Sequence, residues 1–514
     1  MFPILVRVAL RKKPAAASSS IWSLHRVLLP PSLTSSNHHY HHHHKINLTS
    51  AETIKPSSPT PAELATFKLS LFDNIVPPIY VPLIFFFLPA PGSTGSKPAG
   101  EGNFETLKSS LAQTLTRFYP LAGRLSKSVV HCNDEGVPFS TAAVNDSSMA
   151  DFLRSRIEID SLQRFLPFPA EWISDLESVP QIAFRATAFP CGGLAIGVCS
   201  LHKIVDGPTL ADFMRLWSAV ARSQEKTAAA AVGGSAYAHN RAATSLLPLR
   251  HGDVPATAGD FVARQGGKIR TRRLTFDEEA VHALKAKAKS FEIPDPTRTE
   301  AVAGFLWKCV MSAAARAASA DGAKPRSVVS IGGMSVNLRS RMHEPWPDYS
   351  IGNMIWTAMS LYHNDHQQDS LDDGTKTLQE LVRILRGSVA KLDKELMKKL
   401  QDGDGREEYL RNLEAFFKPA TVADAAAKNE SIIRPFTITS TIALGFYDVD
   451  FGWGKPDWVT MAQFPNPIPN LAVLLQSPGG YGAEVWLTLH EKEMVILEQE
   501  AEFVTYAKNN MPVL

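Results

Sequence analysis

The stretch LAIGVCSLHKIVDGPTLADFMRLWSAVAR (194–222) decides the fold prediction. Its first seven residues are rich in β-forming side chains and predict a strand. Apolar residues at 210, 213, 214, 217, 220 and 221 predict a helix after Gly207. His202 and Asp206 therefore fall in a turn between a strand and a helix, where rigid neighbours can hold side chains at the edge of a cavity.

The residue types in this turn suit proton transfer. An imidazole has an ordinary pKa of about 6.5, so it is mostly neutral near pH 7 and can accept a proton. A nearby carboxylate commonly orients such a base. Taken alone, a His/Asp pair four residues apart favours a structural histidine over a catalytic one. Neither HExxH nor clustered Cys and His ligands occur, so the sequence predicts no metal site.

Composition narrows the class of protein. The chain has 514 residues and a net charge of +2, which favours neither nucleic acid nor an anionic membrane as partner. Four cysteines without a CxxC pair indicate a reducing compartment. The apolar run 75–91 contains five prolines and predicts a loop and a buried strand rather than a membrane span.

The N-terminal segment differs from the rest of the chain. The first 50 residues contain six Lys or Arg and no acid, so the remainder carries a net charge of −4. Residues 1–46 are therefore interpreted as an organelle transit peptide or a disordered leader. Their histidine-rich run, 38–44, is interpreted as low-complexity sequence, with adventitious metal binding as the alternative.

The remaining pattern indicates two units of mixed α/β structure. The predicted boundaries are 47–222 for the first domain, 223–257 for an Ala/Gly/Ser-rich linker and 258–514 for the second domain. Expected elements include a helix at 104–118, a hairpin of 181–189 with 194–200, and a helix capped by Thr275 and Glu278, as well as helices at 298–317, 378–396 and 491–508 and strands at 438–446, 471–477 and 483–490.

A second notable stretch is DFGWGKPDW (450–458). The tripeptide DFG occurs in protein kinases, but no HRDxxxxN precedes it and no GxGxxG loop opens the chain. A P-loop and a GxSxG elbow are absent from the sequence as well. Two glycines around a tryptophan predict a tight backbone turn with an aromatic ring packed over it.

HxxxDG in mid-chain and DFGWG near the C-terminus together resemble the plant BAHD acyltransferases. Other stretches agree with that family: TIKPSSPTP (53–61), FKLSLFDN (67–74), FYPLAGRL (118–125), VNLRSRM (336–342), SIGNM (350–354) and GYGAEVWLTL (480–489). The likeness covers residues 47–514 and is strongest to the branch that includes alkaloid and alcohol acetyltransferases.

The resemblance implies a fold and a reaction. It implies two similar-sized chloramphenicol acetyltransferase-like domains joined by a long crossover loop, with a channel at their interface. Acyl-CoA, here acetyl-CoA, would be a co-substrate, with no bound cofactor and no metal. The acceptor would be a hydroxyl of a plant specialised metabolite, and the protein a cytoplasmic monomer, unless the leader directs it to a mitochondrion or plastid.

The resemblance also implies roles for particular residues. His202 would be the general base, and Asp206 would point away from the channel and pair with an arginine. Arg339 is the first candidate for that partner and Arg341 the second. Gly207 would allow the following turn. The DFGWG residues would shape the CoA side of the channel: Asp450, Phe451, Gly452, Trp453 and Gly454.

One stretch departs from the family pattern. Thr441 and Ala443 stand where a large aromatic and a charged or polar side chain are common, while Thr439 remains as a candidate oxyanion donor. Two alternatives to O-acylation stay open: transfer to an amine, and a homologue that binds acyl-CoA without turnover.

Overall fold

The computed structural model describes residues 45–89, 99–170, 173, 175–222, 241–250, 267–320, 327–342, 350–365, 375–417 and 432–514. Most of the leader, its histidine-rich run and much of the predicted linker lie outside these ranges. Within the linker range, residues Arg241–Leu246 form a short helix. The predicted domain boundaries stay predictions.

The strands are β1 Ile46–Ile54, β2 Thr66–Lys68, β3 Tyr80–Phe87, β4 Arg124–Ser126, β5 Val129–His131, β6 Val137–Val144, β7 Ile182–Ala188, β8 Leu194–Leu201, β9 Ile269–Phe276, β10 Ser327–Asn337, β11 Ile355–Asp365, β12 Ile432–Ser440, β13 Trp458–Thr460, β14 Leu471–Gln476, β15 Ala483–His490 and β16 Lys508–Asn509. The helices are α1 Leu71–Ile75, α2 Ala99–Arg117, α3 Met149–Arg154, α4 Gly207–Arg222, α5 Arg241–Leu246, α6 Glu278–Ala288, α7 Arg298–Ala320, α8 Thr375–Ala390, α9 Lys394–Asp402, α10 Arg406–Phe417, α11 Glu491–Leu497 and α12 Ala501–Tyr506.

Two large mixed sheets organise the described residues. The first has the strand order β1-β6-β7-β8-β3-β13, and the second has the order β11-β10-β12-β14-β15-β9-β16. The first sheet is built from the N-terminal half except for β13, which comes from the segment after DFGWG and pairs antiparallel with β3. The second half of the chain therefore supplies an edge strand to the first sheet.

The hairpin that leads to His202 is present as predicted. β7 and β8 pair antiparallel, with Ile182 opposite Ser200 and Ala188 opposite Leu194. Every residue of β8 is buried, since β3 and β7 flank it and α4 packs nearby. The predicted helix after residue 207 is α4, whose apolar face is buried as its spacing indicates.

Several predicted boundaries are wrong for local reasons. Thr275 lies in β9, and Asp277 caps α6 instead by accepting from Ala280 N at 2.9 Å. The helix expected at 378–396 is divided because Asp393 accepts from Glu395 N and Leu396 N and starts α9. The strand expected at 438–446 ends at Ser440. The final helix is divided into α11 and α12.

Candidate active site

His202 lies in the turn that joins β8 to α4, and its backbone is held on both sides. Its N–H donates to Ile79 O at 2.9 Å, and its carbonyl oxygen accepts from Asn353 Nδ2 at 2.8 Å. The residue is half-buried. Its Nδ1 is buried and has no hydrogen-bond partner in the described part of the chain, so Nε2 is the nitrogen through which the ring can meet a substrate.

The surroundings of His202 favour the neutral ring. Burial lowers the pKa of His202 below its ordinary value of 6.5, because a charged imidazolium is poorly solvated there. The negative charge of Asp206 opposes this shift but does not cancel it. At neutral pH the imidazole is therefore uncharged and able to accept a proton.

Asp206 points at an arginine rather than at the histidine ring. Arg339 Nη1 lies 2.7 Å from Asp206 Oδ2, and Nη2 lies 3.2 Å from Oδ1. The same two oxygens also accept from Met354 N at 3.1 Å and from Thr209 N at 2.9 Å. Burial alone would raise the pKa of Asp206, but the charge and hydrogen bonds of Arg339 outweigh it and the pKa is lowered. The carboxylate is thus ionised, and each of its two oxygens accepts two hydrogen bonds.

Arg339 in turn fixes the segment that contains SIGNM. Its Nη2 donates to Gly352 O at 2.6 Å and its Nε to Ser350 Oγ at 2.9 Å. Arg341, the second candidate, instead donates from Nη1 to Leu392 O at 3.1 Å. Arg339 is therefore the guanidinium that ties the turn after β8 to the second half of the chain.

Sequence reasoning missed a second buried connection to His202. Asn353 donates from its backbone N and from Nδ2 to Asp73 Oδ1, at 2.6 and 2.9 Å, in addition to its bond to the His202 carbonyl. Asp73 belongs to a capping box with Ser70 at the start of α1. That box and the family-like stretches FKLSLFDN and SIGNM were visible in the sequence, but nothing local indicated that they meet 280 residues apart.

Lys203 adds an unusual charge beside the base. Its Nζ donates to Asn74 O at 2.7 Å, and its side chain is almost fully buried. Burial lowers the pKa of Lys203 to about 8, although the charge of nearby Asp73 opposes the shift. Burial also raises the pKa of Asp73, against the hydrogen bonds from Asn353 and Ser70. Lys203 and Asp73 therefore make the region next to the His202 backbone polar and hydrogen-bonded.

Gly207 does not have the role expected of it. It begins α4 and is not among the residues with a positive φ. A Cβ at this position would instead lie 2.7 Å from Leu444 Cδ1. The glycine therefore permits the close approach of the segment that follows β12.

DFGWG forms the tight turn predicted for it. Asp450 Oδ1 accepts from Gly452 N at 2.8 Å and from Gly454 N at 3.1 Å. Both glycines have a left-handed φ, 107° and 111°, which other residues adopt at a cost. The rings of Phe451 and Trp453 are stacked, with centroids 5.4 Å apart.

The DFGWG turn is remote from the base. Arg222, the last residue of α4, donates to the carbonyl of Asp450, whereas His202 precedes the first residue of the same helix. A helix of 16 residues is about 24 Å long. The turn therefore shapes a region at the far end of α4 and cannot touch the proton that His202 would accept.

Thr439 is half-buried near the end of β12. The segment that follows this strand contains Leu444, which lies close to Gly207. Thr441 donates from Oγ1 to Leu474 O at 3.2 Å. Beside Thr441 lies a cavity of about 10 Å³, which is about the size that admits one water molecule.

Neither a metal-binding cluster nor a membrane-spanning helix is found among the described residues. In the described residues, no group of three or more His, Cys, Asp or Glu side chains is arranged to hold a metal ion. No helix in those ranges is both long enough and apolar enough to cross a membrane.

The chain is similar to known proteins over most of its length. A model of the Transferase family matches residues 44–504. Akuammiline synthase 2 of Alstonia scholaris is 35% identical, covering 90% of this chain and 97% of that protein. Stemmadenine O-acetyltransferase of Catharanthus roseus is 34% identical, covering 89% and 97%.

A solved structure agrees. The crystal structure of vinorine synthase superposes with a TM-score of 0.69 at 30% identity, covering 90% of this chain and 99% of the other. The two-domain α/β acyltransferase fold expected from the motifs is thereby confirmed. On the family match, these identities and this shared fold, the chain belongs to the transferase family of the BAHD acyltransferases.

Proposed function

We propose that the protein transfers an acetyl group from acetyl-CoA to a hydroxyl of a plant specialised metabolite, with His202 as the general base. The observation that carries this proposal is the half-buried, uncharged imidazole of His202. Its backbone is fixed on both sides, and the neighbouring carboxylate of Asp206 is paired with Arg339. The family relatives named O-acetyltransferase support acetyl as the acyl group and oxygen as the acceptor atom.

The reaction needs few groups because a thioester is already activated. His202 Nε2 accepts the proton of the acceptor hydroxyl as its oxygen forms a bond to the thioester carbonyl carbon. The carbonyl becomes a tetrahedral oxyanion, which collapses and breaks the carbon–sulfur bond. The CoA thiolate then takes the proton from the imidazolium, and the neutral base is regenerated. A positioned base contributes about 10²–10⁴-fold to such a step.

Positioning of the two substrates accounts for much of the remaining acceleration. Correct alignment of reactants can supply about 7–11 kcal/mol. In this chain, Asp206 with Arg339 and Asp73 with Asn353 fix the turn that carries His202 from two directions. We assign Asp206, Arg339 and Asn353 as positioning residues, and Thr439 as the candidate donor to the oxyanion. The DFGWG turn is assigned to the CoA side of the channel.

An acceptor panel with acetyl-CoA tests the proposal. Alcohols and matched amines of alkaloid, terpenoid and simple alcohol type are incubated with the protein, with thiol release and product mass as readouts. We expect thiol release and a mass gain of one acetyl group with an alcohol. Acetylation of amines alone would show an N-acyltransferase. Binding of CoA without thiol release across the panel would show a homologue without turnover.

We further propose that the protein is a monomer and lies in the cytoplasm. The family match begins at residue 44, close to the end of the basic leader. Imaging of the tagged full chain beside a version that lacks residues 1–46 tests the compartment, since import into a mitochondrion or plastid by the full chain alone would contradict it. Light scattering tests the monomer.

A further inference from the structure

Glu484 is a buried carboxylate with an unusually complete set of donors. Its exposed fraction is 2%. Oε2 accepts from Trp458 Nε1 at 3.0 Å and from Arg273 Nη1 at 3.2 Å. Oε1 accepts from Trp486 Nε1 at 3.0 Å and from the hydroxyl of Thr460. No part of the reaction described above uses this residue.

The donors come from both large sheets. Glu484 and Trp486 lie on β15, and Arg273 lies on the neighbouring β9, both in the second sheet. Trp458 and Thr460 lie on β13, the edge strand of the first sheet. The carboxylate therefore joins the two sheets through side chains rather than through a backbone ladder.

The strand that Glu484 holds is continuous with the DFGWG turn. Only three residues separate Gly454 from Trp458. Trp458 stacks on Phe86 of β3 with ring centroids 5.1 Å apart, and the guanidinium of Arg273 lies 5.1 Å from the centre of its ring. A shift of β13 relative to the second sheet would therefore be transmitted directly to the turn.

The surroundings leave room for such a shift. A cavity of about 210 Å³ borders this group and is lined in part by Arg273, Trp458 and Glu484. Close packing is interrupted on the side of this cavity, so there the hydrogen bonds to the carboxylate contribute more to holding the two sheets together. Each donor left without an acceptor in a buried position is costly, which makes the arrangement sensitive to small changes at residue 484.

We propose that Glu484 is a positioning residue that sets the separation of the two sheets next to the DFGWG turn, and thereby the shape of the CoA side of the channel. This inference rests on the proposed function, which assigns that side to CoA. Glu484 acts through Trp458 and Thr460 and touches neither substrate. It acts on how tightly CoA binds and not on the proton transfer at His202.

The matched pair Trp458→Phe and Trp486→Phe isolates the effect. Each substitution removes one indole N–H that donates to Glu484 and retains an aromatic ring. Only Trp458 lies across the gap between the sheets, whereas Trp486 shares a strand with Glu484. Thr460→Val removes the second crossing donor with little change in shape. Glu484→Gln replaces one acceptor oxygen by an amide group that can only donate.

Titration calorimetry with CoA on the full chain measures the dissociation constant without requiring turnover. We expect Glu484→Gln to weaken CoA binding about tenfold, the size of effect typical of a hydrogen bond to a charged group. Trp458→Phe and Thr460→Val should each weaken it by about threefold, and Trp458→Phe should add nothing in the Glu484→Gln background. Trp486→Phe should leave binding unchanged. Where acetyl transfer is measured, KM for acetyl-CoA should rise while kcat is retained.

Equal weakening by Trp458→Phe and Trp486→Phe would overturn the proposal and leave Glu484 as a stabiliser of the fold alone. The same conclusion follows if Trp458→Phe and Thr460→Val lower only the free energy of unfolding. Should Glu484→Gln fail to fold, these two crossing variants decide the question. An unaltered chain that does not bind CoA would overturn the proposed function and this inference with it.

Discussion

Replacing Asp206 by asparagine tests the ion pair that holds the turn of His202. The side chain of Asp206 is 1% exposed and that of Arg339 is 9% exposed, so the substitution leaves a guanidinium buried without its counter-charge. Breaking a buried ion pair in this way costs about 3–5 kcal/mol. Arg339 retains Gly352 O and Ser350 Oγ as acceptors, which places the expected loss near the lower end, about 3 kcal/mol.

That magnitude predicts the effect on activity. Every 1.4 kcal/mol changes an equilibrium constant tenfold, so about 3 kcal/mol shifts the equilibrium about a hundredfold from the held turn toward a displaced one. We expect thiol release from acetyl-CoA to fall by up to that factor. The acid limb of activity should move to lower pH, because the charge of Asp206 raises the pKa of His202 and its removal lets burial lower that pKa further.

Urea unfolding and thiol release are measured on the same preparations. Glu380→Gln is the control, because Glu380 on α8 pairs with Arg383 and both side chains are well exposed, 42% and 48%. An exposed pair of this kind contributes about 1 kcal/mol or less. Arg339→Met combined with Asp206→Asn should lose less stability than the two single changes added together, because no buried charge remains.

The direction of the pH dependence follows from the lowered pKa of Asp206. Its contribution is present above the ordinary pKa of 3.8 and is lost as the pH falls through the lower value of the folded state. The stability difference from Asp206→Asn should therefore shrink at acid pH. If Asp206→Asn unfolds at the same urea concentration as the unaltered protein and releases thiol at the same rate, the positioning account is wrong.

Three further predictions concern other parts of the site. The acid limb of kcat/KM should lie below pH 6.5, because the lowered pKa keeps His202 neutral until the pH falls through it; a limb above 6.5 would contradict the assignment. Gly452→Ala should cost about 1–3 kcal/mol in urea unfolding because its φ is 107°, whereas Gly387→Ala, which has open space around it in α8, should stabilise by about 0.5–1 kcal/mol. Thr439→Val should lower kcat about 10²–10³-fold with little change in the urea midpoint if its hydroxyl stabilises the oxyanion, and an unchanged kcat would remove that role.

Much of the local structure around His202 could be predicted from the sequence. The β-forming residues of LAIGVCS and the apolar spacing after Gly207 are local signals, and they place the histidine between a strand and a helix. The turn at DFGWG was also predictable from local sequence, because glycine adopts a left-handed φ more readily than other residues and two glycines stand there.

The connections between distant segments could not be predicted from local pattern. Nothing in residues 67–74 or 350–354 indicates that Asp73 and Asn353 share a hydrogen bond beneath His202. The crossing of β13 into the first sheet, and the role of Glu484 in holding it, depend on how two sheets pack. The strand predicted at 438–446 is wrong because the chain turns after Ser440, where Leu444 N donates to Thr441 O at 3.0 Å.

The rate of thiol release from acetyl-CoA by His202→Ala, with a productive alcohol at saturation, tests the central claim most directly. The account predicts a fall of about 10²–10⁴-fold with CoA affinity unchanged, because only the proton acceptor has been removed. Release at the rate of the unaltered protein would contradict the role of His202 as the base.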